Sequence, residues 1–138
     1  MEPAEAEAAA EVIWDRALDL LLHDISGVRQ GDRLLAAAIH VDGTFSRSGA
    51  DAMPEFPVHD RIDGVSGLRW FGLAEEADII DGYLDAARQG RRGGQTELAA
   101  NRAYNALDVA SRLRRGLLER LGDSPDAFAP PDLPRPPR

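Results

Sequence analysis

Cysteine and lysine are both absent from this chain of 138 residues, and aromatic residues make up only 6% of it. The absence of cysteine excludes disulfides, thiolate metal ligands and a cysteine nucleophile. The sequence also has no run of about 18 uncharged apolar residues, which argues against a membrane-spanning helix. Because the aromatic side chains are so few, we expect most of them to lie in the core.

Acidic residues outnumber basic ones by 24 to 16, which gives a formal net charge of −8. Contacts to nucleic-acid phosphates need clustered cations, so this balance argues against direct nucleic-acid binding. The charge is uneven: residues 1–87 hold 18 acids and 6 arginines (−12), and residues 88–138 hold 6 acids and 10 arginines (+4). Residues 1–11 are acidic and lack the basic region of a secretory signal, so we expect a cytoplasmic protein.

Apolar residues recur with helical spacing in five segments, and no segment has the alternation of a strand. The spacing predicts helices over about 4–23, 31–41, 58–71, 73–89 and 96–121. Pro54 and Pro57 predict a loop over 43–57, with one short helical turn at 50–53. Six prolines after Gly122 predict an extended or disordered tail over 124–138. The expected fold is all-α: a single compact bundle of about five helices in residues 1–123, followed by this tail.

The sequence offers little support for an enzyme. It contains no Gly-x-Ser-x-Gly nucleophile motif, and the glycine-rich segment 90–94 lacks the lysine and the preceding strand of a phosphate-binding loop. Glu75 and Glu76 are adjacent carboxylates, but the helix predicted over 73–89 directs both toward water, where nothing raises a pKa for acid–base work. We therefore expect no catalytic residue and no cofactor.

Two His-Asp dipeptides, His23-Asp24 and His59-Asp60, provide an alternative hypothesis. The first follows three leucines, and an apolar helix that ends in His-Asp resembles the core of the HD-domain metal-dependent phosphohydrolases. In that family the pair binds a divalent metal that activates a water for attack on phosphate. The family also needs an upstream histidine, and none precedes His23. The alternative metal site consists of His23, Asp24 and His59, whereas the ordinary interpretation is a set of solvated residues at helix ends.

An acidic stripe follows the helix predicted over 73–89. Asp78, Asp81 and Asp85 share one side of this helix with Glu75 beside them, opposite its apolar residues. The ordinary interpretation is a solvated helix face. The alternative is a docking surface for a basic partner, because like charges at neighbouring helical positions repel by about 0.2–0.5 kcal/mol per pair until a cation meets them. Upstream carboxylates, Asp60 and Asp63 among them, would widen this surface until it imitates the phosphates of duplex DNA.

The last predicted helix carries five of the sixteen arginines. Its arginines are scattered around the helix axis: Arg102, Arg112, Arg114, Arg115 and Arg120. An exposed face that balances the acidic body is the ordinary interpretation, and a basic nucleic-acid patch is the alternative. These arginines and the acidic stripe could also pair between the subunits of a homodimer.

One stretch resembles a known family. Residues 67–80, with the sequence Gly-Leu-Arg-Trp-Phe-Gly-Leu-Ala-Glu-Glu-Ala-Asp-Ile-Ile, are similar to a joint between two helices in the bacterial DNA-mimic protein family. The order of parts is similar over about residues 17–128, and residues 42–45 match part of the family's loop signature. The resemblance implies an acidic all-α protein that occupies the DNA-binding surface of a transcription factor. It carries a mimicking role over to Glu75, Glu76, Asp78, Asp81 and Asp85.

Together these patterns predict a non-enzymatic acidic module that binds a basic partner protein, such as one that itself binds DNA. Toxin immunity proteins, which neutralise cationic nucleases, belong to the same physical class. The predicted partner-binding residues are Glu75, Glu76, Asp78, Asp81, Asp85, Asp60 and Asp63.

Overall fold

A computed structural model describes residues 2–133, and this part of the chain is all-helical, as predicted. It has six α-helices where about five were expected: α1 (Pro3–Leu20), α2 (Gln30–Ser48), α3 (Val58–Trp70), α4 (Ala74–Arg88), α5 (Gly94–Asn105) and α6 (Val109–Asp123). Two short 3-10 turns, Ala50–Ala52 and Pro125–Ala127, complete it. None of these helices combines the length and the apolar character needed to cross a bilayer.

Helix α2 is longer than predicted, since it passes through Asp42-Gly43 and ends at Ser48. Val41 and Phe45 lie one turn apart and are both buried, so core packing favours continuation of the helix past Gly43. The helix stops instead at Gly49, which has a φ of 81° and donates its N–H to the carbonyl of Phe45 at 2.8 Å. A positive φ at this position favours glycine, as is usual at a helix end.

Helices α2 and α3 approach each other closely along two glycines of α3. A Cβ atom at Gly64 would lie 2.7 Å from the Cβ of Val41, and one at Gly67 would overlap the carbonyl oxygen of Leu34. A glycine within a helix costs about 1 kcal/mol relative to alanine. Here the missing side chains allow the backbones to meet, which places the α2 and α3 side chains around one common cleft.

The single helix predicted over 96–121 is in fact two helices, α5 and α6, and that prediction was wrong. Asp108 at the joint adopts a left-handed conformation with a φ of 41°. Nine residues separate Tyr104 from Leu113, so a continuous helix would turn them to opposite sides. Both side chains are 1% exposed. The break therefore allows each helix to direct its own apolar face into the core.

The segment that follows α6 also differs from the prediction, because residues 124–133 close the core instead of forming an extended or disordered tail. After the Pro125–Ala127 turn, Phe128 and Ala129 are buried. The Phe128 ring lies directly over Gly31, where a Cβ atom would come within 2.8 Å of it. The rest of the predicted tail, residues 134–138, lies outside the described residues.

A buried ion pair fixes this C-terminal segment to α1 and α2. The guanidinium of Arg16 donates to Asp32 at 2.6 Å and to the carbonyls of Ala129 and Pro130, both at 2.9 Å. Asp32 in turn accepts from the backbone N–H groups of Arg29 at 3.0 Å and of Ala129 at 2.8 Å. Arg16 and Asp32 are 3% and 1% exposed, and these hydrogen bonds offset the cost of removing both charges from water.

Candidate protein-binding surface

The exposed carboxylates of the α4 stripe are held by arginines of the same chain. Arg69 at the end of α3 contacts Asp78 at 2.8 Å and Asp81 at 2.9 Å. Asp85 forms an ion pair with Arg88 in the next turn of its own helix. Asp78 and Asp81 raise the pKa of the Arg69 guanidinium by accepting hydrogen bonds from it. The stripe is therefore a row of ion pairs rather than a row of free anions.

Glu76 does not face water, so its predicted position on the binding surface needs correction. It lies four residues before Ile80 and eight before Leu84, which places it on the buried face of α4, and it is fully buried. The Nε and Nη2 atoms of Arg112 in α6 donate hydrogen bonds to the two carboxylate oxygens of Glu76, at 2.8 and 3.2 Å. Glu75 remains exposed and lies 3.9 Å from the same guanidinium. Glu76 is thus part of the contact between α4 and α6 and is not available to a partner.

The charge that remains on α4 is small. The five carboxylates of α4 (Glu75, Glu76, Asp78, Asp81 and Asp85) meet three arginines (Arg69, Arg88 and Arg112), so five negative and three positive charges leave −2. A regular array of phosphate-like charges is therefore largely cancelled on this helix.

Asp60 and Asp63 are in a different environment. They lie on the first turns of α3 and line a cleft of about 330 Å³ between α2, α3 and the end of α1. Both are exposed, and neither forms a side-chain hydrogen bond or ion pair within residues 2–133. We call this feature the α1–α3 cleft; its lining residues are Leu20, Leu21, Arg33, Ala36, Ala37, His40, Asp60 and Asp63.

Helical spacing brings the polar side chains of the cleft together. Asp60 and Asp63 lie one turn apart on the side of α3 that also carries Gly64, whose backbone meets α2. From α2 come Arg33 and His40, with the small residues Ala36 and Ala37 between them leaving room for the cleft. The His40 ring is fixed by an edge-to-face contact with Phe56 at 4.8 Å.

Leu21, which lines this cleft, is one of three exposed leucines at the end of α1. Leu18, Leu21 and Leu22 at the end of α1 are 43%, 39% and 79% exposed. The helix predicted over 4–23 would have included all three, but α1 ends at Leu20 and the chain turns there. Scattered single leucines are normal on a protein surface, whereas a group beside a charged cleft is typical of an interaction site. The cleft thus combines unpaired carboxylates with an apolar border.

The residues of the alternative metal site are all exposed. His23 and Asp24 lie in the connection after α1, beyond the point where this helix ends, and His59 lies in the first turn of α3. Within residues 2–133, no group of three or more His, Asp or Glu side chains is placed to hold a metal ion. The phosphohydrolase hypothesis therefore gains no geometric support from these residues.

Two buried tyrosine networks were not identified from the sequence. The Tyr104 hydroxyl donates to Asp42 at 2.8 Å, and burial raises the pKa of both groups. The Tyr83 hydroxyl donates to Asp51 at 2.7 Å and accepts the N–H of Gly93 at 2.8 Å. Each network joins helices that are distant in sequence, and the second fixes the glycine-rich loop between α4 and α5. Asp42 and Tyr104 also line a small pocket of about 210 Å³ beside the joint between α5 and α6.

In comparisons with protein-family models, curated protein sequences and solved structures, nothing matches this chain. The resemblance of residues 67–80 to the bacterial DNA-mimic protein family therefore stays a prediction.

Proposed function

We propose that this protein is a non-enzymatic module that binds a basic partner protein through the α1–α3 cleft. The observation that carries the proposal is the pair of carboxylates Asp60 and Asp63, which have no cationic partner within residues 2–133 and lie beside the exposed Leu21. A free carboxylate gains a charge-assisted hydrogen bond when an arginine or lysine arrives, without first giving up an internal one.

The chemistry of the cleft defines the kind of partner. An apolar side chain of the partner would cover Leu21, and a cationic side chain next to it would reach Asp60 or Asp63. Arg33 is the one arginine among the lining residues, so the partner also benefits from an acceptor group opposite it. The net charge of −8 attracts a basic protein over longer distances and raises its association rate.

A DNA-binding protein is one such partner, and the resemblance to the DNA-mimic family favours it. The α4 stripe supports this form of the proposal only weakly, since its net charge is −2 once the internal arginines are counted. Exposed ion pairs are worth about 0–1 kcal/mol, so an incoming arginine displaces Arg69 or Arg88 at little cost. In this form of the proposal, duplex DNA competes with the chain for its partner.

A synthetic peptide tests the proposal without knowledge of the natural partner. The probe is an amphipathic helix with leucines at i and i+4 flanked by arginines, and its control carries glutamates in place of the arginines. We expect fluorescence anisotropy to report binding of the arginine peptide alone, weakening with salt as the screening length falls to about 3 Å at 1 M.

Matched double variants locate the binding. Asp60→Asn/Asp63→Asn and Asp78→Asn/Asp81→Asn remove the same charge from different surfaces. We expect the first to weaken binding about tenfold, because two ion pairs of up to about 1 kcal/mol each are lost. The second should have less than about a twofold effect. Equal losses in both variants would mean that binding follows net charge alone, and the cleft would have no special role.

A further inference from the structure

A second surface lies at the opposite end of α1 from the cleft. The first half of α1 and the helix α6 leave a groove of about 430 Å³ between them. Its floor is apolar and made of small and branched side chains: Ala4 and Ala8 come from α1, and Leu117 and Leu118 come from α6. No other element of residues 2–133 lines this groove.

The two sides of the groove carry opposite charges. Glu7 and Glu11 of α1 and Arg114 of α6 line the groove and are exposed. Arg115, the next residue of α6, is exposed but lies outside the groove lining. Glu11 and Arg114 already meet across the groove at 2.9 Å, and the Arg114 guanidinium lies over the Trp14 ring at 4.4 Å. Glu7 and Arg115 form no ion pair within residues 2–133. The groove therefore has an acidic helix and a basic helix side by side, each with charge left over.

We infer that a second copy of this chain covers the groove, with α1 of each copy against α6 of the other. In a dimer with twofold symmetry each contact occurs twice, so the attraction between an acidic helix and a basic helix stabilises the dimer at two places. The alternative in which α1 faces α1 would bring glutamates together, and that repulsion selects the α1–α6 arrangement. The small residues Ala4 and Ala8 allow the backbones to approach closely.

The size of the face predicts a weak dimer. A helix of 15 residues such as α6 is about 22 Å long, and two neighbouring helices are about 20 Å wide. Each copy thus offers about 450 Å², or about 900 Å² in total, which is below the about 1,000 Å² of a specific, stable interface and in the range of weak, transient ones. We therefore expect a reversible dimer with a dissociation constant in the micromolar range or weaker.

A charge-swap experiment tests this arrangement by sedimentation equilibrium. Variant A carries Glu7→Arg and Glu11→Arg, so that both sides of its groove carry arginines. Variant B carries Arg114→Glu and Arg115→Glu, so that both are acidic. We expect the wild type to dimerise and each variant alone to associate at least about tenfold more weakly. A mixture of A and B should form a heterodimer, because every contact again joins opposite charges.

The controls separate loss of this dimer from effects of net charge and of unfolding. Arg47→Glu/Arg91→Glu changes the net charge as variant B does, at two exposed positions outside the groove, and it should dimerise like the wild type. Circular dichroism checks that every variant keeps its helices. The inference is overturned if the wild type is monomeric up to about 1 mM, if A and B alone still dimerise, or if their mixture does not. Peptide binding at the α1–α3 cleft does not depend on any of these results.

Discussion

The α4 stripe and the α1–α3 cleft have the same kind of residues in the sequence but different electrostatics in the structure. Each presents aspartates one turn apart on a helix, and both were predicted to bind a partner. In the stripe, Asp78 and Asp81 share one arginine that lies only nine residues before the first of them. In the cleft, Asp60 and Asp63 have no such partner within residues 2–133. The same spacing of acids in the sequence thus gives carboxylates paired within the chain on α4 and, among the described residues, carboxylates without an ion pair in the cleft.

The largest expected effect comes from removing the arginine that pairs with Glu76, the buried carboxylate of α4. Arg112→Ala leaves Glu76 fully buried without its guanidinium. We expect a loss of about 3 kcal/mol in the free energy of unfolding, because a buried charge that loses its partner keeps its desolvation cost. Chemical denaturation measures it. Arg114→Ala, a matched change on the exposed side of the same helix, should cost less than about 1 kcal/mol.

Removing the arginine that pairs with Asp78 and Asp81 tests whether the α4 stripe can then bind a cation as the α1–α3 cleft is proposed to do. Arg69→Ala releases Asp78 and Asp81 at an exposed site, so stability should change by less than about 1 kcal/mol. The released carboxylates should then bind the arginine peptide as a second, weak site, which a titration detects as a stoichiometry above one. An unchanged stoichiometry would indicate that unpaired aspartates alone do not make a site and that the leucines of the cleft are required.

The smallest expected effect on stability concerns Asp42, a partly buried carboxylate that forms no ion pair with an arginine within residues 2–133. Burial raises the pKa of Asp42 in the folded protein above its value in the unfolded chain. The free energy of unfolding is therefore higher when Asp42 is protonated, and it falls as the pH rises through the folded pKa. Asp42→Asn keeps an acceptor for the Tyr104 hydroxyl. At pH 7 the variant should be as stable as the wild type or more stable by at most about 1 kcal/mol, since solvent screens the partly exposed side chain.

The effect of Asp42→Asn on stability should depend on pH. As the pH falls toward 4, Asp42 takes up its proton and the advantage of the asparagine variant should disappear. Thermal melts at both values check this prediction. A variant that is clearly less stable at pH 7 would show that the ionised carboxylate strengthens the Tyr104 hydrogen bond by more than its burial costs.

Local patterns predicted part of the fold. The all-α class and the positions of α1, α3 and α4 follow from helical spacing and turn residues. The break before α6 could also have been predicted from the sequence, because Tyr104 and Leu113 would lie on opposite sides of a single continuous helix. The packing of Phe128 against Gly31 joins residues almost a hundred positions apart. The proline content of residues 124–138 did not predict this packing.

The candidate site was predicted less well than the fold. Asp60 and Asp63 were identified from their charge, but they share the cleft with Arg33 without an ion pair to it, and this depends on where α1, α2 and α3 meet. The burial of Glu76 was recoverable, since its spacing to Ile80 and Leu84 is that of one helix face. The exposure of Leu22 was not, because it depends on where the chain turns after α1.

Amide chemical-shift mapping by nuclear magnetic resonance, with the arginine peptide titrated into isotope-labelled protein, tests the central claim most directly. We predict that the largest changes occur at Leu21, His40, Asp60 and Asp63, and that Asp78 and Asp81 change little. The largest changes along α4, or small changes spread evenly over all acidic residues, would contradict the assignment of binding to the α1–α3 cleft.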